Sequence, residues 1–213
     1  MDLFLYLAEL IGTAAFALSG ALLAIQKKLD LFGVLFLSVV TALGGGTIRD
    51  VLLGRIPPRM FYSGQYVLLS VAVALVIFLA ARWSHGRITR FNVWAERAFN
   101  LCDAVGLGIF AVIGTQAASR VGYADNIFLC VVMGMTTGVG GGVLRDMMCG
   151  DIPVVLRKHI YALAAIAGSL VYDLPVRLRL LSVYSATLLG IAVTVALRLL
   201  ARHYRWNLPQ AEV

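Results

Sequence analysis

Residues 44–50 read Gly44-Gly45-Gly46-Thr47-Ile48-Arg49-Asp50, and residues 140–146 read Gly140-Gly141-Gly142-Val143-Leu144-Arg145-Asp146. Each copy lies inside a long apolar stretch. Three glycines beside an Arg-Asp pair suit a lipid-facing helix poorly. Glycine weakens a helix by about 1 kcal/mol relative to alanine, and ionisable groups at membrane depth are costly and mark polar pathways. Two such interruptions at matching places in two halves of a chain are the pattern expected of a transport site near the bilayer midplane.

Working outward, the chain of 213 residues is 61% hydrophobic, with a mean hydropathy of +0.89. Soluble domains are closer to about 45–50% apolar. Apolar segments near the roughly 20 residues that cross a bilayer occur at 3–25, 31–53, 62–81, 98–118, 125–149, 158–174 and 180–201. They predict an all-α integral membrane protein with seven transmembrane helices. The short alternating segments of a β-barrel are not present. Gly54-Arg55-Ile56-Pro57 follows the second segment and Gly150-Asp151-Ile152-Pro153 the fifth, and glycine followed by proline is a helix stop. Asp2 and the length of the first apolar stretch point to a retained first span rather than a cleaved leader.

The formal charge is +7, but the basic residues fall between apolar segments, where they set topology, so nucleic acid is not an expected partner. Eleven Lys/Arg fall toward one side of the bilayer and five toward the other, with Arg49 and Arg145 inside. The basic side is the cytoplasmic one, which predicts an outside N-terminus and a cytoplasmic C-terminus. Cys102, Cys130 and Cys149 lack metal-ligand spacing and read as packing residues. His85, His159 and His203 read as solvated loop or tail residues, and Tyr62, Tyr66, Trp83, Trp94 and Trp206 as an interfacial belt. Nothing forms a nucleophilic triad or a phosphate loop, since the glycines precede Arg-Asp rather than Lys-Ser/Thr. An enzyme is therefore not expected, nor a cofactor, nor any metal beyond transient K⁺ or Na⁺.

The two glycine motifs are offset by 96 residues, whereas Phe16-Ala17-Leu18-Ser19-Gly20 resembles Phe110-Ala111-Val112-Ile113-Gly114 at an offset of 94. Glu9 and Asp103 also correspond at 94. The division this predicts is a three-helix unit at 1–81, a polar linker at 82–97, a second unit at 98–175, a seventh helix at 176–201 and a cytoplasmic tail at 202–213. An odd number of helices per unit inverts the second unit relative to the first, giving a pseudo-two-fold axis in the membrane plane.

Ser38, Ala42, Gly46 and Asp50 share one helix face, as do Gly134, Gly138, Gly142 and Asp146. A neighbouring stripe carries Thr41, Gly45 and Arg49 in one helix and Thr137, Gly141 and Arg145 in the other. Two uses of such faces are open. Small residues let helices approach closely in lipid, with Arg-Asp as a buried salt bridge. Alternatively, glycine triplets kink or unwind the helices and free carbonyls, which coordinate K⁺ or Na⁺ well. Glu9 and Asp103 complement helix dipoles or supply vestibule charge.

With its two inverted three-helix units, seventh helix and doubled GGGxxRD motif, the chain resembles the prokaryotic trimeric intracellular cation (TRIC) channels, a family also described as a glycine-transporter domain. The resemblance covers nearly the whole chain. It implies a homotrimer in a prokaryotic inner or plasma membrane, with a pore for monovalent cations in each protomer, lined by kinked second and fifth helices. The residues it places along the pore are Thr41, Gly44, Gly45, Gly46, Arg49, Asp50 and their counterparts Thr137, Gly140, Gly141, Gly142, Arg145, Asp146. The lysine-rich signature of animal members is absent from the second helix, so their regulation is not carried over.

The first functional expectation is a passive K⁺/Na⁺ channel in which Asp50 and Asp146 attract cations, with Arg49–Asp146 and Arg145–Asp50 pairing across the pseudo-two-fold axis. A carrier for a small zwitterion such as glycine, with Arg binding carboxylate and Asp binding ammonium, is the second. A membrane scaffold in which the motif only packs is the third.

Overall fold

The computed structural model describes residues 3–83, 88–157, 160–204 and 206. His85, His159 and the tail from 207 onward lie outside the described residues, as do Arg87, Lys158 and Arg205 of the topology argument. The order is α1 (Leu3–Gln26), α2 (Leu31–Leu52), a 3-10 turn at Arg59–Phe61, α3 (Gly64–Trp83), α4 (Ile88–Ala118), a π-turn at Ser119–Tyr123, α5 (Ile127–Met148), the short α6 (Val154–Arg157), α7 (Ile160–Arg177) and α8 (Val183–His203). Seven of these elements are long and apolar enough to span a bilayer, and the described residues hold no strand.

The ends of α2 and α5 follow one scheme. Asp30 accepts the Gly33 N–H at 2.7 Å at the start of α2, and Asn126 accepts the Leu129 N–H at 2.9 Å at the start of α5. Each side chain satisfies one of the donors a helix start leaves open. At the other end Gly54 and Gly150 both take φ of 71°, a left-handed conformation that glycine adopts freely. The following N–H groups, of Arg55 and Asp151, return to the carbonyls of Asp50 and Asp146.

The polar segment 82–97 is a shorter connection than expected. α3 runs to Trp83 and α4 already begins at Ile88. The segment keeps apolar residues at helical spacing (Phe91, Trp94, Ala95, Ala98), so polarity alone does not end the helix. α7 likewise runs past Pro175.

α1 packs on α4 and α2 on α5, while α3 lies against α1 and α2, as α7 lies against α4 and α5. These contacts repeat under exchange of the two units. α8 has no counterpart and lies against α4 and α7. Counterpart residues meet across the axis: the Phe16 and Phe110 rings lie 5.3 Å apart. Gly12 abuts Ile109 and Phe110 while Gly106 abuts Phe16, and Gly20 seats Thr41 while Gly114 seats Thr137. In lipid, where apolar side chains gain little by leaving the solvent, such small-residue seats hold helices together. α3 and α8 are the most exposed spans, and α1 and α4 the most buried.

Candidate functional site

The glycine triplets stand where α2 crosses α5. A Cβ on Gly45 would run into the Thr137 carbonyl, and one on Gly141 into the Thr41 carbonyl. Gly140 completes the crossing, its missing Cβ lying 3.1 Å from the Gly45 Cα, while Gly44 seats Leu144. The two backbones therefore touch reciprocally. Thr41 and Thr137 turn their hydroxyls inward, each donating to the carbonyl four residues earlier (Leu37 and Met133, both 2.6 Å). Both helices stay α-helical through their glycines. The expected local unwinding is thus corrected: Gly44, Gly45, Gly140 and Gly141 serve the close approach of the two helices, and both triplets stay α-helical.

One turn further on, each Arg-Asp pair closes on itself. Arg49 reaches Asp50 at 2.7 Å, and Arg145 reaches Asp146 at 2.8 Å. The expected cross-pairs Arg49–Asp146 and Arg145–Asp50 do not form, because each aspartate also anchors its own downstream loop. Asp50 Oδ2 accepts the Arg59 N–H at 3.0 Å, and Asp146 Oδ2 accepts the Val154 N–H at 2.9 Å. With one oxygen on arginine and the other on backbone, the carboxylates clamp helix end to loop. All four side chains are buried.

Glu9 and Asp103 complete the two clusters. Glu9 takes Arg59 at 3.2 Å and accepts the Tyr66 hydroxyl at 2.7 Å. Asp103 takes Arg145 at 2.8 Å and Arg198 of α8 at 3.8 Å. Because α4 starts at Ile88, Asp103 stands about four turns inside it, and a helix-dipole role for Asp103 does not survive.

Sequence reasoning missed four members of these clusters: Arg59, Tyr66, Tyr161 and Arg198. Tyr66 is buried rather than part of an exposed belt, and Tyr161 is its counterpart at an offset of 95. That repeated tyrosine was the available signal. Arg59 lies 5.6 Å over the Tyr66 ring, and Arg198 lies 4.4 Å over the Tyr161 ring. The second unit has Val154 where the first has Arg59, so the seventh span supplies the missing guanidinium.

The two clusters differ in access. Arg145 is sealed, donating to Ser19 and Asp103 and lying 4.7 Å over the Phe99 ring. At the matching places around Arg49 stand Ile113, which accepts no hydrogen bond, and the smaller Leu5. There the structure has cavities instead. One of about 40 Å³ is bounded by Glu9, Thr13, Gly46, Thr47, Asp50 and Tyr66, among others. Another of about 60 Å³ lies beyond Arg49 and Arg59.

Fold and clusters together define a polytopic helical membrane protein whose two inverted three-helix units each bury a matched cluster of charges. The family described as "Glycine transporter" matches the chain twice, over residues 6–82 and 100–176, which repeats the 94-residue displacement. An inner membrane protein of Escherichia coli strain K12, "UPF0126 inner membrane protein YadS", is 36% identical over 96% of this chain and 94% of its own length. A "UPF0126 membrane protein" of Vibrio cholerae is 38% identical over 96% and 82%. Among solved structures, a TRIC trimeric intracellular cation channel orthologue from Rhodobacter sphaeroides superposes with a TM-score of 0.85 at 32% identity, covering 96% of this chain and all of that one. A prokaryotic TRIC channel in 0.5 M KCl gives 0.86 at 34%, covering 98% and 100%. The chain belongs to this family, that of the prokaryotic TRIC proteins.

Proposed function

We propose that the protein is a passive channel for K⁺ and Na⁺, assembled as a homotrimer in a prokaryotic inner membrane, with the pathway of each protomer running beside α2 and α5. The observation that carries this reading is the match, over nearly its full length, to cation channels of the TRIC type. The geometry is compatible with such a pathway: cavities lined by Glu9, Arg49 and Arg59 lie beside the C-terminal half of α2. The residues assigned to the pathway are Thr41, Gly44, Gly45, Gly46, Arg49 and Asp50 with their counterparts Thr137, Gly140, Gly141, Gly142, Arg145 and Asp146, of which Gly46, Arg49 and Asp50 line the first cavity. Glu9 and Asp103 act as countercharges to Arg59 and Arg145. The N-terminus lies outside and the C-terminus in the cytoplasm, on the strength of the Lys/Arg distribution.

A glycine carrier is the second reading, favoured by the description of the matching family. It requires Arg49 or Arg145 to receive a substrate carboxylate, and both are already engaged by their own aspartates.

Purified protein in a planar bilayer under a KCl gradient decides between them. Unitary currents that reverse near the K⁺ equilibrium potential, and that vanish when K⁺ is replaced by a bulky organic cation, are the expected result. Silence, together with saturable glycine uptake into proteoliposomes, would overturn the channel reading.

A further inference from the structure

The 60 Å³ cavity is unusual for the mouth of a cation pathway, because four arginines line it: Arg49, Arg55, Arg59 and Arg120, with Glu9 and Gln116. Arg49 is neutralised by Asp50 and Arg59 by Glu9. Among the described residues neither Arg55 nor Arg120 is ion-paired. Two arginines without an ion-pair partner therefore line one small cavity, beside an apolar wall of Leu5, Ile113 and Ala117. Like charges on one cavity wall repel each other, the more weakly the more water reaches them, and an anion between them relieves that repulsion. A water needs about 10–15 Å³ of such space, so the cavity has room for an ion of several heavy atoms.

We propose that this cavity is a binding site for a small oxyanion, of the carboxylate or phosphate kind, held between Arg55 and Arg120. The planar guanidinium fork matches two oxygens on one centre, which favours such ions over chloride. Gln116 donates one amide N–H to the Tyr172 hydroxyl at 3.1 Å and keeps a second, and the carboxylate of Glu9, also on the cavity wall, has its oxygens engaged by Arg59 and Tyr66. Such an anion would cancel the positive field at the cavity and raise the local concentration of cations. That last consequence rests on the channel reading; the binding does not.

The test is thermal unfolding of the full chain in detergent, in sodium phosphate or sodium acetate against sodium chloride at matched ionic strength. Wild type is expected to show a saturable rise in midpoint of about 2–4 °C with at least one oxyanion. The Arg55→Gln/Arg120→Gln double variant is expected to lose it, and Arg179→Gln, an exposed arginine outside the cavity, to keep it. No rise over chloride, or an equal rise in the double variant, would overturn the proposal. Both substituted side chains are exposed, so the fold tolerates their replacement, and the chloride midpoint of the double variant checks this. Should the oxyanion shift appear in a protein that passes no current, the site stands and the channel reading falls.

Discussion

Asp103 on α4 and Arg145 on α5 are joined at 2.8 Å across 42 residues of sequence, with side chains 2% and 0% exposed. This pair ties the first and second helices of its unit together at a depth where water cannot replace either partner. Asp103→Asn would leave Arg145 with a single carboxylate and Arg198 with none, and removal of one partner from a buried pair costs about 3–5 kcal/mol. The expected outcome is a large drop in the thermal midpoint in detergent. The matching change Glu9→Gln should cost about 1 kcal/mol or less, because Arg59 is 41% exposed and water takes over much of its solvation. Equal losses at the two sites would refute the difference in access between the clusters.

The glycines separate by position rather than by number. Gly45→Ala and Gly141→Ala each push a methyl group onto a backbone carbonyl of the opposite helix. Overpacking of this kind costs about 1–3 kcal/mol, and the reciprocal geometry predicts similar losses for both. At Gly46 the nearest atom to an added Cβ is Arg49 Nη2 at 3.7 Å, an ordinary contact. Gly46→Ala should therefore be neutral or slightly stabilising through helix propensity. Comparison of the three midpoints checks the assignment.

Arg198 and Arg202 stand four residues apart on α8 but have different partners. Arg202 reaches Glu96 at 2.8 Å, on the surface, and Arg202→Ala should change stability by about 1 kcal/mol or less. Arg198→Ala removes the cation from the Tyr161 ring and one of the two counter-ions of Asp103, a loss of about 1–3 kcal/mol. Under the channel reading, the same variant is expected to show a higher open probability in bilayer recordings than wild type, because it removes a positive charge from beside Asp103. An unchanged record would separate α8 from the pathway.

Lys27 and Asp151 link the loops after α1 and α5 at 2.7 Å, both partly exposed. Lys27→Met is expected to lower stability by less than about 1 kcal/mol, with the difference fading at high salt. A salt-independent loss would show the link to be part of the interior.

The spans, their inversion and the correspondence of Glu9 with Asp103 were legible because they depend on apolar length and on a repeated spacing, both linear properties of the chain. The partners of Arg49 and Arg145 were not. Whether an arginine bonds its neighbour or its symmetry mate depends on where the loop after Asp50 returns, and the Arg59 N–H settles that from nine residues away. Arg198 was illegible for a related reason. The seventh span has no counterpart in the repeat, so no internal comparison marks one of its basic residues as a substitute for Arg59. Tyr66 and Tyr161 could have been found by aligning the units, but aromatic residues near span ends first suggest an interface with lipid headgroups.

Where Gly45 meets Thr137 and Gly141 meets Thr41, backbone lies against backbone, and the nearest side chains, Leu144 and Ile48, pack to either side of the contact. A crossing of that kind is a fulcrum. The two helices cannot slide along each other without driving backbone into backbone, but they can tilt about the point of contact. Tilt that parts them at the Arg49 end brings them together at the Arg145 end. One open cluster and one sealed cluster in the same molecule are then the two arms of a single lever.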